Sequence, residues 1–104
     1  MSRLLKVSNE KILRGLILEI CEQSGATGAS IELIQVALKY HIQSITKEEV
    51  LNTCKYLEGK NLITMNHTEN ERLKISRDIV YLSSKGQDLL DGTITVDGIQ
   101  LVGD

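Results

Sequence analysis

The spacing of apolar residues changes period once along this chain, and that change limits what it can fold into. Between Ile12 and Leu57 the aliphatic residues recur at three- and four-residue intervals, the repeat of helices with a buried face. From Leu62 onward short β-prone runs replace it, Leu62–Met65 and Ile79–Leu82, each reading as a strand. Helices followed by strands in 104 residues describe one small α+β domain, because domains of about 100–150 residues form a single core. No apolar run approaches the roughly 20 residues a membrane helix needs. Met1–Lys6 lacks the apolar core of a secretory signal. The reading is of a cytosolic protein with no membrane partner.

The helices can be placed from their ends. Residues 8–24 form a first helix, with Ser8 or Asn9 as cap and Gly25 as stop. Its stripe is Ile12, Leu13, Leu16, Ile17, Ile20 and Cys21. Leu18 falls off that stripe, so this helix is expected to meet apolar surface on two sides. Residues 31–40 form a second helix capped by Ser30. Ile31, Ile34 and Leu38 share one face, and Leu33, Val36 and Ala37 fill much of the rest, so this helix is expected to be central. Thr46-Lys47-Glu48-Glu49 matches a capping box and opens a third helix with Val50, Leu51, Cys54 and Leu57 buried. Gly59 or Asn61 can supply the left-handed residue that ends it.

Residues 66–78 read as a polar loop between the strands, although Leu73–Ser76 alternates and the second strand could begin there. Ser83 or Ser84 caps a short fourth helix through Leu90. Beyond residue 90 lies a β-prone extension, 91–104. In it Thr93–Val96 and Ile99–Val102 flank Asp97-Gly98, a strong two-residue hairpin signal.

Cys21 and Cys54 lie in helical apolar patterns and read as reduced core thiols, with a disulfide or metal site as the alternative. His41 and His67 have no ligand-like spacing to them, and His67 reads as a plain loop residue. No phosphate-binding loop, catalytic triad or zinc motif is present, and Glu48 and Glu49 are adjacent positions that do not converge on a helix. The residues point to a non-enzyme without a cofactor.

The order helix, helix, capped helix, strand, strand, helix carries two recognisable segments. Tyr56-Leu57-Glu58-Gly59-Lys60-Asn61-Leu62-Ile63 resembles the L-x-x-x-G-L-I junction of winged helix-turn-helix domains, with Asn61 standing where Gly is usual. Leu82-Ser83-Ser84-Lys85-Gly86-Gln87-Asp88-Leu89-Leu90 resembles their L-T-x-K-G-x-x-L-L ending. The chain also resembles small phage and Mu-like prophage proteins of this length, in residues 12–18, 30–38, 46–63 and 92–98. The resemblance implies an α+β winged helix-turn-helix over residues 1–90. It would have a three-helix core, a two- to three-stranded wing, a short C-terminal helix and a β-prone tail.

In that fold the third helix enters the DNA major groove. A helical wheel leaves Glu48, Glu49, Asn52, Lys55, Tyr56 and Gly59 facing outward. Asn52 can make a bidentate contact to adenine, and Lys47 and Lys55 can reach phosphate. Arg72, Lys74 and Arg77 are the candidate backbone contacts of the wing. Segments 46–60 and 66–78 are each neutral overall, whereas DNA-binding faces usually concentrate basic residues. The net charge of −2 comes from the tail: residues 1–45 carry +1, residues 46–90 carry zero and residues 91–104 carry −3. Double-stranded DNA is therefore one expected partner. The alternative is an interaction or assembly module that binds a second copy or another phage protein through Leu18, Tyr56, Ile94 and Val96.

Overall fold

The computed structural model describes residues 3–101, with side chains from residue 9 onward. Helix α1 (Arg3–Ser24) leads through a single 3-10 turn (Gly25–Thr27) into a two-residue strand, β1 (Ala29–Ser30). Helices α2 (Ile31–Leu38) and α3 (Lys47–Gly59) follow, then β2 (Ile63–Asn70), β3 (Ile75–Leu82) and α4 (Ser84–Leu90). The three strands form an antiparallel sheet in the order β1-β3-β2. The architecture is α+β, with four helices and a three-stranded sheet among the described residues, an arrangement compatible with a winged helix.

Local chemistry explains most element boundaries. Ser30 Oγ accepts the Leu33 amide at 3.1 Å and starts α2. Thr46 Oγ1 accepts the Glu49 amide at 3.1 Å, while Glu49 Oε1 accepts the Thr46 amide at 3.3 Å, so the expected capping box is complete. Asn61, with φ 62°, ends α3. Its amide donates to Glu58 and the Leu62 amide to Leu57, the paired bonds of a Schellman motif. Gly59 remains within the helix. Helix α1 begins at Arg3, ahead of the expected start, so Ser8 and Asn9 are interior to it. Residues 3–9 contain no Gly or Pro to stop the helix upstream.

The core is aliphatic. Ile17, Leu18, Ile34, Leu38, Val50 and Leu57 are fully buried, and the Cys21 and Cys54 thiols are buried among them. Burial pushes both thiols up to about 12, with Cys21 and then Glu58 adding to the effect at Cys54. The central helix is α1, which touches α2, α3, α4 and β3. Leu18 consequently meets apolar surface supplied by its own chain and is completely covered. The expectation of a central α2 is corrected, because α2 buries only Ile31, Ile34 and Leu38. Leu33 and Val36 face solvent.

Two further expectations are corrected. The segment 66–78 is mostly strand, with β2 and β3 paired from Ile63–Leu82 to Asn70–Ile75 and only residues 71–74 forming the loop. Main-chain pairing and cross-strand side-chain contacts hold this ribbon without an apolar face at its tip. Asn70 Oδ1 accepts the Leu73 amide at 3.1 Å, and Lys74 takes the left-handed conformation, φ 53°.

The tail forms no strand among its described residues; Val102 of the expected second run lies outside them. A type I′ hairpin needs positive φ at both central residues, and only Gly98, φ 91°, has it. The tail's alternating apolar residues pack instead on the helices, with Ile94, Val96 and Ile99 against the core.

Candidate functional site

The two segments that resemble winged-helix motifs touch each other. Ser83 Oγ donates to the Asn61 carbonyl at 2.7 Å, and the Ser83 amide donates to the Leu62 carbonyl at 3.1 Å. Lys85 Nζ donates to the Lys60 carbonyl at 3.2 Å. Gly86 lies so close to the Leu62 carbonyl that a Cβ would overlap it. The start of α4 thus clamps the turn that follows α3 and sets the direction in which α3 meets the sheet.

That clamp leaves one face of α3 open. Val50, Cys54 and Leu57 face the core, and Glu48, Asn52, Lys55 and Gly59 lie on the opposite, exposed side. Among the described residues neither Asn52 nor Lys55 has a side-chain hydrogen bond or ion pair. Glu49 is held by the capping box and turns toward α1. Tyr56 is half-buried under Arg14, on the edge of the face rather than at its centre.

The other candidate cations do not gather on this face. Lys47 Nζ lies 3.2 Å from Glu32 Oε1 at the start of α2. The backbone amide at Glu32, then Lys47 and Arg77, hold the Glu32 carboxyl below its ordinary range. Lys47 is therefore paired with an acid, and Arg77 lies on β3 opposite Thr68. Arg72 and Lys74 are exposed on the 71–74 loop, at the far end of the ribbon from its buried residues. The six candidate residues occupy three places: Asn52 and Lys55 on the α3 face, Lys47 beside Glu32, and Arg72, Lys74 and Arg77 on the ribbon.

The interaction candidates are largely occupied within the chain. Leu18 is fully buried, which removes it from any surface. Ile94 and Val96 are partly covered by the core they pack on, and Tyr56 packs beneath the tail. Among the described residues, Leu33, Val36, Tyr40, Leu73 and Ile75 are the large apolar side chains that stay exposed.

A cluster on the ribbon was missed by sequence reasoning. His67 sits opposite Asp78 in the β2–β3 register. Its Nδ1 lies 2.7 Å from Asp78 Oδ1 and its Nε2 lies 3.0 Å from Glu69 Oε1, with Ser76 Oγ 3.4 Å away. Only the imidazolium can donate from both nitrogens. Glu69 first, and then Asp78, accordingly raise the His67 pKa above 6.5. The carboxylates grip opposite edges of the ring, so the group holds a proton and does not converge on one point. Once a turn centred between Arg72 and Leu73 is known, the His67–Asp78 pairing follows by counting.

No family model matches the chain, and no curated protein is significantly similar to it. No described helix is long and apolar enough to cross a membrane.

Proposed function

We propose that this chain is a winged helix-turn-helix protein of phage type that reads double-stranded DNA with the outward face of α3. The observation that carries the reading is the exposed stripe of Asn52, Lys55 and Gly59, opposite the buried Val50, Cys54 and Leu57. Asn52 supplies the paired donor and acceptor that match adenine, Lys55 reaches phosphate, and Arg72 and Lys74 extend the contact at the ribbon tip. Glu48 on the same face accepts from a cytosine amine or weakens binding by repulsion. With few free cations, affinity is low and falls only gradually with added salt, because the slope scales with the number of phosphates neutralised.

The test is an electrophoretic shift with a mixed duplex pool at about 50 mM salt. Lys55→Glu should abolish the shift, Asn52→Ala should weaken it selectively on preferred sequences, and added salt should reverse it. Absence of any shift from the wild-type chain sinks the reading.

A second reading, a protein-interaction module without DNA, is favoured by one observation. The outer face of α2 carries Leu33 and Val36, which stay exposed among the described residues. Fold alone does not choose between the two uses.

A further inference from the structure

Helix α2 is apolar on the side that faces solvent. Leu33, Val36 and Tyr40 are 51%, 58% and 89% exposed, while Ile31, Ile34 and Leu38 on the opposite side are buried. Lys39 keeps helical dihedrals at the end of α2, with φ −62° and ψ −20°, so Tyr40 continues the line of Leu33 and Val36. A surface helix ordinarily turns charged residues outward at these positions.

The charges beside the stripe indicate what covers it. Glu32 and Lys39 are seven residues apart, which places them on the same flank of the helix near its two ends. Both are exposed, one acidic and one basic. Leu33 and Tyr40 stand on either side of Val36. This pattern is complementary to itself when reversed. We propose that α2 packs antiparallel on α2 of a second copy of this chain about a two-fold axis near Val36. Leu33 then meets the second copy's Tyr40, and Glu32 meets the second copy's Lys39, each contact occurring twice as an isologous interface requires. Among the described residues Lys39 has no ion-pair partner within its own chain, while Glu32 contacts Lys47 from the side of α3. One helical stripe contributes less than the roughly 800 Å² per partner of a standard interface, so the dimer forms reversibly and depends on concentration.

The experiment is sedimentation equilibrium on the full chain without DNA, from about 10 μM to about 1 mM. The mass should rise from monomer to dimer over that range. Val36→Lys, which sets like charges against each other at the axis, should hold the chain monomeric with unchanged circular dichroism, and Leu33→Ser should weaken association. Lys39→Glu, which sets it against the second copy's Glu32, should raise the dissociation constant about fivefold to tenfold. A monomer at every concentration, a dimer indifferent to Val36→Lys, or a dissociation constant unmoved by Lys39→Glu would each overturn the proposal. Because no DNA is present, these outcomes are independent of the DNA-binding reading.

Discussion

The guanidinium carbon of Arg14 lies 3.7 Å from the centroid of the Tyr56 ring, and Arg14 Nη1 donates to the Gly98 carbonyl at 3.0 Å. One side chain on α1 thereby joins α3 to the tail. Gly98 fits against the Tyr56 hydroxyl so closely that a Cβ there would overlap it. Arg14→Ala should cost about 1–2 kcal/mol, from the lost ring contact and the charged hydrogen bond. Urea unfolding measures this. Tyr56→Phe keeps the ring and should change stability by much less.

The tail also lies directly on α1, where the Gln100 amide donates to the Lys11 carbonyl at 3.1 Å. A Cβ at Gly15 would overlap the Gln100 carbonyl. Gly15→Ala should displace the tail and leave the body folded, read as lost hydrogen-exchange protection at Gln100. Gly86→Ala meets the backbone of Leu62 in the body itself and should cost about 1–3 kcal/mol of global stability.

Leu18 lies in the centre of the core. Leu18→Ala should destabilise the chain by about 2–5 kcal/mol, as a cavity in an aliphatic core does. Its dimerisation constant, measured while the chain is still folded, should stay unchanged.

His67 has a folded pKa raised above 6.5 by Glu69 and Asp78. A raised cationic pKa favours the folded state fully below the unfolded value, and this contribution disappears as pH rises through the folded value. The ribbon should therefore be firmer below pH 6.5 and loosen on the alkaline side of the His67 titration. Proton NMR of the imidazole should report the raised value, and Asp78→Asn should lower it. In His67→Gln this part of the pH dependence of the melting temperature should vanish.

The Cys21 and Cys54 thiols, buried and pushed up to about 12, are neither exposed nor ionised near neutral pH. Thiol reagents should label both only as fast as the chain opens. Denaturant should make labelling of both immediate, and a disulfide-specific mass shift should be absent from the reduced and unreduced protein alike.

What could be read along the chain was the set of features decided within a few residues. Ser30 and Thr46 cap their helices as expected, and of the two candidates Ser83 and Ser84 it is Ser83 that caps α4, because each cap joins residues three apart. Asn52 and Lys55 face outward as the wheel requires, since Val50, Cys54 and Leu57 fix the rotation of α3. Partnerships between distant residues were decided only by the tertiary structure. Lys47 is neutralised by Glu32 from another helix, and His67 is gripped across a strand pair whose register depends on a later turn. The Asp97-Gly98 signal yielded because packing Ile94, Val96 and Ile99 on the helices buries apolar surface that an isolated hairpin would leave in water. Periodicity shows how many faces of a helix are apolar. Which of those faces the rest of the chain covers is a property of the assembled core, and there α1 is covered on both its apolar sides while α2 keeps Leu33 and Val36 in solvent.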